Sequence, residues 1–444
     1  MSILNSQYYK NYRHRLAAIR PIILNNIENN TDKYSFPIIS SLAEINTTNI
    51  HGNSEQSNNN FIFVGVLFIA ATKPSVFFEL KKINNSFEVY TNKIYYVEDE
   101  HTKVEVIFEE NYHEILCTGM VLGFIASESE NGIIKVKDII FPGFIKKIEN
   151  AQKEIENESN TQEMVDETKG CTNKIAFLCN PVIKQNYKFN LGLIIDFLNG
   201  VVDNKNKVEK IMICGNIFSF NKNRENSFLS IESNNTDNFL EETLNNLALV
   251  TGENDNLIIL PSIHDPTDNL YPLEPMNKKL FKGKSIMNNE FLPSPAYYEF
   301  KGKNILVMNK DIVLDILKYE GHDDSKEAPL EEHLIRSNYI SNDGSPNLEK
   351  KENHSFIFTA MNLILKIRHL IPTSPDTLPC KPDNEDSLII TKFIDYFIIT
   401  GISHQKKISE NKKTVFITVP EFNCENTAVI LNVLNSDIEL FKIE

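Results

Sequence analysis

Apolar side chains recur at three- and four-residue steps near the start of the chain, where Tyr12, Leu16, Ile19 and Ile23 share a side and Arg13, Arg15 and Arg20 fall elsewhere. This period predicts a helix over Tyr9 to Ile27. Pro21 lies inside it and is expected to kink or split it, since proline lacks the backbone donor and crowds the preceding turn. Asn46 to Asn60, rich in Asn, Ser and Thr, reads as a loop. From Phe61 the texture changes to short apolar or alternating runs: Phe61 to Ala71, Val76 to Leu80, Phe87 to Tyr95, Val104 to Phe108, Ile115 to Ala126 and Ile133 to Phe141. Strands at this spacing, with no helical period among them, predict a small closed or nearly closed β-barrel. Ile134-Lys135-Val136-Lys137 alternates as a strand with one buried face does.

Glu149 to Glu167 holds seven acidic residues against one lysine and no apolar stripe, the pattern of a solvated linker or an exposed helix. Apolar strands then alternate with helical stretches. The order is strand Ile175 to Cys179, helix Leu191 to Leu198 ending at Gly200, strand Lys210 to Cys214, helix Phe239 to Leu247 and strand Leu257 to Leu260. Strand Ile305 to Met308 and helix Ile312 to Tyr319 continue it, a charged insert follows from Glu320 to Asn353, and Phe356 to Leu370 reads as a helix. The end is β-rich: Tyr396 to Thr400, Val415 to Val419, Ala428 to Leu434 and Ile438 to Ile443. Two packed sheets with helices outside accommodate this order. The expected fold class is α+β and multidomain: a helical segment over 1–45, an OB-type barrel over 60–145, an acidic linker over 146–173 and an α/β sandwich over 174–444.

Length and charge narrow the function classes. At 444 residues the chain can bury a large core without staples. Its 45 basic and 60 acidic side chains give a net charge of −15, which opposes broad neutralisation of phosphates. The six cysteines, Cys117, Cys171, Cys179, Cys214, Cys380 and Cys424, are scattered without a C-x-x-C pair, as in an intracellular protein with reduced thiols. Met1 to Arg20 is too polar for a signal peptide. The longest apolar run, Phe61 to Ala71, is about half of the roughly 20 residues a membrane helix needs, so no membrane association is expected.

The later domain resembles the calcineurin-like metallophosphoesterases in layout, and that resemblance implies two metals held by Asp, His and Asn at the ends of successive strands. The positions that should carry the ligands are degenerate. Phe177-Leu178-Cys179-Asn180-Pro181 offers Asn180 where an Asp and a His belong. Cys214-Gly215-Asn216 replaces an Asp by Asn216. Ser262-Ile263-His264-Asp265 keeps His264 and Asp265, and Gly401-Ile402-Ser403-His404 keeps His404 alone. Five scattered remnants predict no metal, no cofactor and no catalysis, hence an inactive phosphoesterase domain. The competing enzyme reading, a metal-dependent phosphoesterase or nuclease, rests on His264 and Asp265. Gly283-Lys284-Ser285 lacks the first glycine of a phosphate loop. His322, Asp323 and Asp324 sit in a hydrophilic insert, and His369 reads as a hydrogen-bonded structural residue. A third reading makes the barrel a single-strand binder through Phe63, Phe68, Phe77, Phe78 and Tyr90, although aromatics in so small a barrel usually form its core.

Two proline-punctuated segments, Leu260 to Met276 and Arg368 to Pro382, predict stiff extended loops. The second runs Arg368-His369-Leu370-Ile371-Pro372-Thr373-Ser374-Pro375-Asp376-Thr377-Leu378-Pro379-Cys380-Lys381-Pro382 and matches nearly every fixed position of a segment of the small, regulatory subunits of DNA polymerase delta. Tyr12, Arg15, Leu16, Arg20 and Pro21, Val97-Glu98-Asp99-Glu100, Thr118-Gly119, Phe141-Pro142-Gly143 and Val419-Pro420-Glu421-Phe422 fit the same family, so the resemblance covers almost the whole chain. Ser262 in place of a glycine, the segment Tyr271 to Asn277 and Met308-Asn309-Lys310-Asp311 depart from its pattern. The resemblance implies a non-catalytic scaffold for DNA replication and repair synthesis in the nucleus. Its implied partners are the C-terminal region of the catalytic subunit and a third subunit, with indirect contact to the sliding clamp and DNA.

Overall fold

A computed structural model describes residues 9–45, 60–72, 91–108, 115–128, 134–147, 173–181, 197–200, 207–215, 256–280, 289–319, 349–383 and 385–442. The chain forms two compact units, one of Met1–Ile145 with Asp311–Thr391, the other of Lys146–Lys310 with Lys392–Glu444. Sequence order alone groups 311–391 with the sandwich over 174–444. The contacts group that stretch with the first helix and the barrel, because Arg15 and Arg368 tie it there.

In the first unit α1 (Tyr9–Glu28) continues through Pro21, so the helix is not split there. Pro21 faces solvent, while Leu16, Ile19, Ile23 and Ile27 on both sides of it are buried against Ile62, Val64, Val121 and Ile140, so both halves pack on the barrel. Five strands close the barrel: β1 (Phe61–Thr72), β2 (Thr91–Glu98), β3 (Lys103–Phe108), β4 (Val121–Glu128) and β5 (Ile134–Ile140), in the order β1-β2-β3-β5-β4. Five rather than six are described, and the run Val76 to Leu80 lies outside the described residues. The single strand expected over Ile115 to Ala126 also differs, since the strand begins only at Val121. The break is Gly119 at φ +86°, where a Cβ would sit 1.9 Å from the Pro372 carbonyl oxygen. Helices α2 (Lys310–Leu317) and α3 (Glu349–Ile367) follow later in the chain.

The second unit contains two sheets. The larger has the order β16-β15-β6-β7-β8-β9, from β6 (Lys174–Cys179), β7 (Lys210–Cys214), β8 (Leu257–Leu260), β9 (Glu290–Phe291), β15 (Thr427–Asn432) and β16 (Ile438–Lys442). The smaller has the order β10-β11-β12-β14-β13, from β10 (Ala296–Phe300), β11 (Lys303–Asn309), β12 (Tyr396–Thr400), β13 (Lys406–Ile408) and β14 (Val415–Val419), with a short α4 (Phe422–Glu425) before β15. Phe177, Met212 and Ile258 of the larger sheet meet Ile305, Val307, Ile398 and Ile417 of the smaller in one core. The intervening Ala176, Leu178, Ile211, Ile213 and Ile259 fill a second core on the outer face with Leu198, Met276 and Phe422. Burial on both faces explains why these strands read as continuous apolar runs rather than alternations. The sandwich expected from the sequence is therefore present. Most of helix Leu191 to Leu198 and all of Phe239 to Leu247 lie outside the described residues. No helix among the described residues is long and apolar enough to cross a membrane.

Gly119→Ala is expected to lower the unfolding free energy by about 3 kcal/mol or more, from a strained φ plus a backbone clash. Gly302→Ala, also at positive φ but with nothing within 4 Å of the added Cβ, is expected to cost about 1 kcal/mol. Urea unfolding of both variants checks the contrast.

Candidate functional site

Parallel pairing of β6, β7 and β8, and of β11, β12 and β14, brings the carboxyl ends Cys179, Cys214, Leu260, Asn309, Thr400 and Val419 into register, the edge where α/β sheets place their ligands. The residues that follow are held by one another. Asn180, at φ +49°, donates its N–H to the Cys214 carbonyl, and Gly215 donates to that of Leu260. A Cβ at Gly215 would lie 2.9 Å from Ser262 Cβ, 3.5 Å from Asn180 Oδ1 and 3.6 Å from Asn309 Oδ1, so three loops converge on this glycine. Asn309 cross-links the two sheets: its Nδ2 donates to the Pro261 carbonyl at 3.3 Å, and its Oδ1 accepts from Thr400 Oγ1 at 3.0 Å.

The four remnants that the structure describes do not assemble into a ligand set. Asp265 is buried, and its Oδ2 accepts from Ser262 N–H at 2.8 Å and Ser262 Oγ at 2.9 Å, which closes its own loop. His264, next to it, is exposed. His404 Nδ1 is 2.9 Å from the Thr418 carbonyl, so that nitrogen carries a proton and donates. Asn180 supplies an amide, and Asn216 lies outside the described residues. Sequence reasoning missed the cation at these strand ends: Lys310 Nζ pairs with Glu421 Oε1 at 2.7 Å, and its stem packs 2.9 Å from where a Gly401 Cβ would stand. The signal was in Met308-Asn309-Lys310-Asp311, the turn that departs from the family pattern, and in the glutamate of Val419-Pro420-Glu421-Phe422. Burial, with Cys214 and Glu421 nearby, pushes the Cys179 thiol well above its ordinary value, and burial raises that of Cys214. Neither offers a thiolate at neutral pH. A metal pair does not fit the described donor set of amides, protonated thiols and a resident ammonium, and no group of three or more His, Cys, Asp or Glu is placed to hold an ion among the described residues.

The family segments carry a different constellation, inside the first unit. Arg15, expected to point away from the apolar side of its helix, is 1% exposed. Its Nε donates to Asp386 Oδ2 at 2.9 Å, its Nη1 to the carbonyls of Gly119 at 2.8 Å and Pro372 at 2.7 Å, and its Nη2 to that of Ser374 at 3.1 Å. His369 Nε2 meets the same Asp386 oxygen at 2.9 Å, while its Nδ1 accepts from the Ile371 N–H. That acceptor role requires a neutral ring, and burial and the Arg15 charge hold the His369 pKa below its ordinary value against the pull of Asp386. Burial alone would raise the Asp386 carboxyl, but the Arg15 charge and the hydrogen bonds from His369 and Arg15 reverse it and hold it below the usual carboxylate range. Arg368, at φ +57°, donates to the carbonyls of Gly143 and Phe144. Thr373 and Thr377 both donate to the buried Asp315. Arg20 grips Glu100 through two bonds of 2.6 and 3.0 Å, and Asp99 accepts from the N–H groups of Leu42, His101 and Thr102.

Most of the closed barrel and of the two-sheet sandwich lies in the regions matched by models of DNA polymerase subunit families. The family model described as the DNA polymerase alpha/epsilon B subunit matches residues 175–408, more than half of the chain, and the chain belongs to this family. A second model, the DNA polymerase delta subunit OB-fold domain, matches residues 7–139. Among relatives, the chain is 23% identical to the DNA polymerase delta small subunit of Saccharomyces cerevisiae, over 99% of this chain and 90% of that one. It is 24% identical to the DNA polymerase delta small subunit of Arabidopsis thaliana, over 76% and 70%. A solved structure, TT1561 of Thermus thermophilus, aligns over 61% of this chain and 99% of that chain at 9% identity and a TM-score of 0.29.

The linkage to pH follows from these pKa directions. An unfolded His369 takes up a proton near pH 6.5 while the folded ring resists it, so stability falls as pH drops below about 6.5. The Asp386 contribution is complete above about pH 4 and is lost below that. His369→Gln is expected to flatten the loss of stability between pH 7.5 and 5.5, read as denaturation midpoints at the two pH values. Parallel slopes in the variant and the parent would contradict the neutral buried ring.

Proposed function

We propose that this chain is a non-catalytic scaffold subunit of a DNA polymerase delta complex. It binds the C-terminal region of the catalytic subunit and, on another surface, a third subunit that leads to the sliding clamp, and it supports nuclear DNA replication and repair synthesis. The observation that carries the non-catalytic part is the state of the strand ends, where Asn309, Asp265 and Lys310 are each engaged by protein partners. Hydrolysis by a metal pair needs open carboxylate and imidazole donors around a bound water, and the described strand ends supply amides and an ammonium. The assembly part is supported by family membership and by the near full-length similarity to delta small subunits.

Co-expression of the chain with a polymerase delta catalytic subunit is expected to yield a complex that survives size exclusion and melts higher than either component. The same preparation with manganese is expected to show no phosphodiester hydrolysis above a buffer blank. Failure to associate overturns the scaffold assignment, and stoichiometric manganese binding with turnover replaces it by the phosphoesterase reading.

A further inference from the structure

The outer edge of the smaller sheet concentrates positive charge on a chain whose net charge is −15. β13 is the last strand in its order and pairs only with β14 among the described strands. All three of its residues, Lys406, Lys407 and Ile408, are exposed, and Lys412 and Lys413 extend the basic surface into the turn, where Glu410 is the one acidic residue between Gln405 and Thr414. Ile408 is 60% exposed, among the most exposed large apolar side chains of the described residues.

The hairpin is stiff. Ser409 and Thr414 are buried at its base and bond to each other, with Ser409 N–H donating to the Thr414 carbonyl at 2.9 Å and Thr414 N–H to Ser409 Oγ at 3.2 Å. Asn411 Oδ1 accepts from the N–H groups of Lys413 and Thr414, and Thr414 Oγ1 anchors the turn to the Ile394 carbonyl at 2.7 Å. Lys412 adopts φ +58°, a conformation that disfavours a side chain and that this network fixes.

Lysines on an edge strand commonly guard against edge-to-edge pairing. A guard has no use for an isoleucine left open between them, because an apolar side chain on an edge invites the contact that the charges repel. A rigid edge strand with one apolar knob and flanking ammonium groups is complementary to an extended peptide. We propose that β13 is a docking edge for an acidic, extended segment of a partner protein, which adds as a further strand with an apolar residue over Ile408 and carboxylates facing Lys407, Lys412 and Lys413. Nucleic acid fits less well, because the hairpin from Gln405 to Thr414 presents no aromatic ring for bases to stack on. The proposal stands apart from the polymerase reading, since it needs only the edge itself.

The test uses the full 444-residue chain and fluorescence anisotropy. The probes are a labelled peptide alternating Glu or Asp with Val or Ile, the same peptide with Gln and Asn in place of the acids, and a labelled oligothymidine. The acidic peptide is expected to bind, to weaken as salt rises, and to lose about tenfold in affinity to the triple variant Lys407→Glu, Lys412→Glu, Lys413→Glu. Ile408→Thr, which keeps strand propensity, is expected to weaken it without changing the salt dependence, and this variant decides the matter if the triple variant melts early. Equal binding of the acidic and amide peptides, tighter binding of oligothymidine, or binding untouched by Ile408→Thr overturns the proposal.

Discussion

Arg15 is a cation taken almost completely out of water, and such a group is tolerated only where its donors are met. Its partners come from three places far apart in the chain: Gly119 before β4, Pro372 and Ser374 in the proline-rich segment, and Asp386 beyond it. Removing any of them leaves a buried donor or a buried carboxylate unmatched, so these stretches are obliged to form together. Gly119 lacks a Cβ because the Pro372 carbonyl occupies that space, and His369 is neutral because its second nitrogen accepts from the backbone while the first satisfies Asp386. Arg15, Gly119 and the Arg368 to Pro382 segment, three of the motifs that mark the family in sequence, are thus parts of one buried polar network.

This network explains why residues 311–391 belong with the first helix and the barrel although they follow most of the sandwich in sequence. It also separates two kinds of buried polar group. In the first unit, charge is retained and fully engaged. Among the described strand ends of the second, Asn309 presents an amide bonded across the sheets, Asp265 closes on Ser262, and the Lys310 ammonium is matched by Glu421. A resident ammonium and a divalent ion compete for the same carboxylate.

Much of the fold was legible because local pattern and burial agree. The strands Tyr396–Thr400 and Val415–Val419 have the bounds that their apolar runs suggest, since both faces are covered. Helix α1 was legible from its period, but the fate of Pro21 was not, because packing on either side of a solvent-facing proline leaves no local mark. Short strands such as β10 and β13 escaped notice, as pairing with neighbours rather than composition makes them strands. At the site, Asn180, His264, Asp265 and His404 could be picked out by position, whereas their orientations could not: Asp265 turns inward to Ser262 while His264 faces solvent. The burial of Arg15 was the largest omission. It stands at the edge of the apolar stripe beside Tyr12 and Ile19, and the carbonyls that let it turn inward come from Gly119 and from the distant Arg368 to Pro382 segment, which the local pattern does not reveal.

Amide hydrogen exchange of the intact chain, resolved by mass spectrometry, tests the central claim that Arg15 binds distant segments into one cooperative body. Peptides covering 9–28, 115–122 and 368–382 are expected to share one slow exchange class and to open together as denaturant is added. If the proline-rich segment exchanged rapidly while the helix and the barrel stayed protected, the clamp would not be what holds them.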